Sequence, residues 1–98
     1  MITVHKFPIQ RTFKQVIKIH GGLETTDPFK IMRQDGEIFL WKIVDTECPL
    51  LELEVLTFGT GQEIPYNTYL EYCHIESIID GQYVWHFFGK ILESGDCE

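Results

Sequence analysis

Two Asp-Gly pairs, Asp35-Gly36 and Asp80-Gly81, each lie between apolar runs of strand length. Asp-Gly in a two-residue loop accepts the positive φ angles of a type I′ turn, whose twist matches the strands that it joins. The first pair predicts strands over about 29–34 and 37–44; the second predicts strands over about 69–79 and 82–88. Two such hairpins in so short a chain leave little room for anything but an antiparallel fold.

The rest of the chain agrees. Residues 2–7 (ITVHKF) alternate until Pro8 interrupts them. Over 13–20, Phe13, Gln15, Ile17 and Ile19 share one face, and Lys14, Val16, Lys18 and His20 the other. This is the period of a half-buried strand. In LLELEVLTF (50–58), Glu52 and Glu54 oppose Leu51, Leu53 and Val55. The strand over 37–44 is apolar on both faces, with Phe39, Trp41 and Ile43 opposite Ile38, Leu40 and Val44. It reads as a central strand covered on both sides, from which Lys42 must reach solvent or a partner. Segments 20–28 and 45–49 are loops by composition.

Seven mostly antiparallel strands with little helix predict an all-β domain, either a small barrel or a two-sheet sandwich. NTYLEYCHIESI (67–78) is the one segment where a short helix competes, because Leu70, Cys73 and His74 also fit a helical face. A chain of 98 residues, 44% apolar and 13% aromatic, suffices for one core. The domain is expected over 1–92, with a polar tail at 93–98. No apolar run approaches the roughly 18 to 20 residues of a membrane span, and the N-terminus lacks the pattern of a secretory signal. Cys48, Cys73 and Cys97 form no C-x-x-C, so they read as free thiols in a cytoplasmic protein.

Charge is unevenly distributed. Residues 1–42 carry seven of the eight basic side chains against four acidic ones, and residues 43–98 carry Lys90 alone against eleven acids. An acidic half of this kind disfavours direct nucleic-acid binding and favours basic protein partners, although it also simply keeps a small protein soluble.

Catalytic motifs are few. Gly59-Thr60-Gly61 lacks the lysine of a Walker loop and the third glycine of a dinucleotide fingerprint, and Pro65 follows where a helix should run. A turn that redirects a strand is the first reading of it, and a ligand contact the second. His74 and Glu76 form an H-x-E without the P-C-x-x-C that zinc deaminases need. Neither Ser77 nor Ser94 stands in a nucleophile motif. No catalytic residue, metal ligand or cofactor is therefore assigned. Trp41, Trp85, His86, Phe87 and Phe88 are of the type that anchors interfaces or stacks on bases, although the usual job of such residues in a short chain is core filling. The two tryptophans with the tyrosines and phenylalanines after residue 65 are more than a small barrel interior readily holds, so some should reach the surface or a subunit interface.

Across about residues 5–88 the chain resembles a group of small bacteriophage and prophage proteins. The likeness is carried by H-K-F-P-I-Q, by the Q-D-G-x-x-x-L-W-x-x-V-D block from Gln34 to Asp45, by F-G-T-G and by V-W-H-F-F. None of these is a catalytic signature. The resemblance implies a non-enzymatic protein acting by binding in the cytoplasm of an infected host. The expected function is inhibition of a host protein or anti-phage defence complex through an acidic and aromatic surface, with Trp41, Glu52, Glu54, Trp85 and His86 as candidate contacts. The alternative is a sponge for a nucleotide-type signalling ligand. Its phosphate would lie at Gly59, Thr60 and Gly61, its base on Trp41 or Trp85, and a homo-oligomer interface could complete the site.

Overall fold

A computed structural model describes residues 1–21 and 30–93. Seven strands build two antiparallel sheets: β1 (Ile2–Ile9), β2 (Lys14–His20), β3 (Lys30–Gln34), β4 (Glu37–Asp45), β5 (Leu50–Gly59), β6 (Cys73–Asp80) and β7 (Tyr83–Glu93). One six-residue helix, α1 (Tyr66–Glu71), precedes β6. The three-stranded sheet has the order β1-β4-β3 and the four-stranded sheet the order β2-β5-β7-β6. Neither closes on itself, so of the two architectures expected the sandwich is the one formed.

Both hairpins form, by different turns. Asp35 and Gly36 take φ of 53° and 79°, and Gln34 pairs with Glu37, as a type I′ turn requires. In the second hairpin Asp80 itself pairs with Tyr83, so the two loop residues are Gly81 and Gln82. Only Gly81 has positive φ, at 63°, the pattern of a type II′ turn. The competing helix is real but short. It takes the first residues assigned by sequence to the strand over 69–79, which begins only at Cys73.

Period-two alternation explains the core. Ile38, Leu40 and Val44 of β4 face inward with Phe7 and Ile9 of β1 and Ile31 of β3. They meet Ile17 and Ile19 of β2, Leu51, Leu53 and Val55 of β5, and Phe87 of β7. A bulge between His74 and Glu76 turns Ile75 inward, over the space left by the missing side chain of Gly89. Pro8 is accommodated because β1 is an edge strand, where a missing N–H breaks no ladder.

Three sequence expectations change here. The strand over 37–44 is central, yet only its Ile38, Leu40 and Val44 face is fully buried; on the other face Phe39 and Trp41 are half-buried and Ile43 is 46% exposed. The reason is that the described residues form four strands in one sheet and three in the other, with no third layer among them. Lys42 does not escape outward either. It lies on the inner face, buried, with Nζ donating to the carbonyl of Ile43 at 3.2 Å. Cys48 is buried and disulfide-bonded, which corrects the reading of three free thiols, whereas Cys73 is free and exposed. Sequence spacing carries no information about which cysteines a sandwich brings together.

Candidate functional site

At the end of β5 the chain leaves the sheet through a turn over residues 59–62. The Gln62 amide donates to the Gly59 carbonyl at 3.1 Å, and the Gln62 side-chain Oε1 accepts from the Gly59 amide at 3.0 Å. Gly61 has φ of 86°, which suits the third position of a type II turn and disfavours any residue with a Cβ. Gly59 has no such constraint. It stands opposite Trp85 in the ladder, where an added Cβ would sit 3.6 Å from the indole. Gly59-Thr60-Gly61 is thus a strand-ending turn, as first read. It also separates two concavities.

The outer concavity, about 330 Å³, lies between the turn, Ile64 and the β6-β7 hairpin. On its floor four side chains form one hydrogen-bonded row. Thr60 Oγ1 is 2.8 Å from His86 Nε2, Ser77 Oγ is 2.7 Å from His86 Nδ1, and His74 Nε2 is 3.1 Å from Ser77 Oγ. A neutral His86 donates through one nitrogen and accepts through the other, and the hydroxyls rotate to suit. Ser77 therefore does have a base beside it, which motif reading missed. The signal was present in the hairpin: pairing Asp80 with Tyr83 and counting outward sets Ser77 opposite His86. Thr60 holds the far nitrogen of His86, the position that a carboxylate occupies in an acyl-transfer triad. Among the described residues no group of three or more His, Cys, Asp or Glu could hold a metal ion.

The inner concavity, about 210 Å³, opens between the sheets beside Arg11, Thr12 and Phe13. Its origin is a mismatch of strand lengths. β2 starts at Lys14 opposite Leu56, so Thr57, Phe58 and Gly59 run past its end. The backbone closes part of the gap, with the Thr57 amide donating to the Phe13 carbonyl at 2.8 Å. Thr57, Gln62, Trp85 and Phe87 line the rest. Thr57 is only 7% exposed, and among the described residues its hydroxyl has no hydrogen-bond partner. At the rim, Arg11 donates to Asp80 at 2.6 and 3.3 Å and to the Gly36 carbonyl at 3.1 Å, which ties the two hairpin turns together. Trp85 Nε1 also donates to Asp80, at 3.1 Å. The Arg11 and Trp85 hydrogen bonds hold the Asp80 carboxyl below the usual carboxylate range.

Of the residues singled out by sequence, Gly59, Thr60, Gly61, Trp85 and His86 converge on this turn. Glu52, Glu54 and Trp41 do not. Glu54 is 8% exposed; it accepts a short hydrogen bond from the Tyr72 hydroxyl and lies 3.9 Å from Lys14 Nζ. The bond to Glu54, with burial, pushes the Tyr72 phenol up to about 12. Glu52 pairs across the ladder with Lys18. Two lysines of β2 thus interleave with the two glutamates, and this face is of mixed sign.

Trp41 belongs to the outer face of the three-stranded sheet, with Phe39 and Ile43 of β4, Ile2 and Val4 of β1 and Met32 of β3. Ile2 is 56% and Val4 57% exposed. The ammonium of Lys6 lies 4.5 Å from the Phe39 ring centre and 5.6 Å from that of Trp41, and donates to Gln34 Oε1 at 2.8 Å. The sequence marked these side chains as apolar; that no layer of the described residues covers this face could not be read from one strand.

Residues 1–95 match the family described as Domain of unknown function (DUF7352), and the chain belongs to that family. No curated protein and no solved structure gives a significant match to the chain. Among the described residues no helix is long and apolar enough to cross a membrane.

Proposed function

We propose that this member of the DUF7352 family is a non-enzymatic, phage-encoded binding protein. It acts in the host cytoplasm and occupies the surface of a host protein, such as a defence component, through the outer face of its three-stranded sheet. The observation that carries this reading is the exposure of Ile2, Val4, Met32 and Ile43 around Phe39 and Trp41 on one sheet face. Contiguous apolar surface rimmed by polar groups is uncommon on monomers and marks interaction sites. A central tryptophan supplies the kind of anchor that dominates interface energetics. The acidic part of the expected surface has less support, because Glu54 is buried beneath Tyr72 and both glutamates face lysines.

Val4→Lys combined with Ile43→Glu places two opposite charges on paired, exposed positions of this face. Stability should change by no more than about 0.5 kcal/mol per site. The measurement is affinity capture from bacterial lysate by wild type and double variant in parallel. A polypeptide held by the wild type and lost with the variant supports the reading. Equal capture by both sinks it.

A second reading, a small ligand held beside the Gly59–Gly61 turn, is favoured by the convergence there of five sequence-selected residues between two concavities.

A further inference from the structure

We propose that the cleft beside Arg11–Phe13 binds an uncharged, planar heterocycle of the nucleobase class, its ring against Trp85 and Phe13 and one polar edge on the Thr57 hydroxyl. This rests on the small-ligand reading and moves the contact from the turn's backbone to the space between the sheets.

Three features carry it. Thr57 lines the cleft, and its hydroxyl is closed to solvent and has no hydrogen-bond partner among the described residues. Such a group is costly in a finished core, and valine would fill the same volume without that cost. A ligand that supplies a hydrogen bond removes the cost when it binds. Second, Gln62 lines the same space with its amide orientation fixed, because its oxygen accepts from the Gly59 amide at 3.0 Å. The NH₂ end is therefore available as a donor. Together the two side chains match a ring edge that carries a carbonyl or an unprotonated nitrogen. Third, Phe13, Trp85 and Phe87 give the cleft aromatic walls, which favour a flat ring over a branched aliphatic group.

Size and charge narrow the class. At about 210 Å³ the cleft is smaller than the roughly 300–1,000 Å³ typical of whole-ligand pockets, so it takes a ring and not an entire nucleotide. Among the described residues that line the cleft the basic one is Arg11, and it already donates to both carboxylate oxygens of Asp80 and to the Gly36 carbonyl. A phosphate would have to displace Asp80, whereas an uncharged ring leaves that pair intact.

The test uses the full chain with adenine, hypoxanthine, cytosine and uracil, their nucleosides and their 5′-monophosphates, read by thermal shift and tryptophan fluorescence. At least one base or nucleoside should raise the melting temperature and perturb the fluorescence at about 5 mM. Thr57→Val should weaken that binding by about tenfold or more, whereas Thr57→Ser, which keeps the hydroxyl, should hold it within about threefold. Binding that is unchanged in Thr57→Val overturns the proposal. Monophosphates that bind while bases and nucleosides do not also overturn it, but leave a phosphate contact at the turn standing. No response to any of the compounds removes both the cleft and the small-ligand reading.

Discussion

Replacing Thr57 by valine should stabilise this protein. Most core substitutions do the reverse, so the sign is a stringent test. Thr57 sits on the inner face of β5 opposite Phe87, and its hydroxyl makes no hydrogen bond among the described residues. Desolvating such a group without a partner costs about 1–3 kcal/mol. Valine has nearly the same shape, suits a strand and introduces no polar atom. The backbone bond from the Thr57 amide to the Phe13 carbonyl is unaffected. Removing the unpaired hydroxyl should therefore return about 1 kcal/mol or more, which in a domain of this size raises the melting temperature by about 4–8 °C. Urea unfolding gives the free energy directly, and an unchanged slope would show that the unfolded reference is the same. A lower midpoint for Thr57→Val would refute the reasoning, since it would mean that in solution the hydroxyl has a partner, such as water standing in the cleft.

Gly61→Ala should cost about 1–2 kcal/mol, because Gly61 has φ of 86°, whereas Gly59→Ala should be neutral or stabilising; urea titration of the two variants separates a turn requirement from a packing one. Tyr72→Phe strips the buried Glu54 of its phenolic donor and should lower stability by about 1.5–3 kcal/mol at neutral pH. Since the Tyr72 phenol is pushed up to about 12, its contribution is complete below the ordinary tyrosine value and is lost as pH rises through about 12. An alkaline melting series should show this loss in the wild type and not in Tyr72→Phe. Asp80 titrates below the ordinary carboxylate range, so its contribution is present above that range and is lost as pH falls through the lowered value. Asp80→Asn should accordingly flatten the acid limb of a plot of melting temperature against pH.

Much of the fold was legible because alternation is a local property. Leu51, Leu53 and Val55 declared their shared face in five consecutive residues, and Asp35-Gly36 specified its own turn. What escaped depended on partners distant in sequence. The short helix at Tyr66–Glu71 competes with strand over the same residues, and alternation alone does not arbitrate. The open face around Trp41 follows from the number of layers, which no single strand encodes. Glu54 looked like surface because it alternates with apolar neighbours, but Tyr72, 18 residues later, folds over it. The Ser77–His86 pair was within reach, since hairpin register fixes it once the loop is placed at Gly81-Gln82.

The position of β2 bears on how the chain assembles. β1, β3 and β4 make the three-stranded sheet from the more basic part of the sequence, yet β2, drawn from that same part, is edge strand of the other sheet. It brings Lys14 and Lys18 to Glu54 and Glu52 of β5, an acidic segment that starts 30 residues after β2 ends. The β6-β7 hairpin can zip locally, but β2 must close a long loop before it gains any pairing. Opposite charge on β2 and β5 favours that encounter at low ionic strength. Added salt should therefore slow refolding by weakening the attraction that guides β2 to its edge, while leaving the hairpins' own rates largely unchanged.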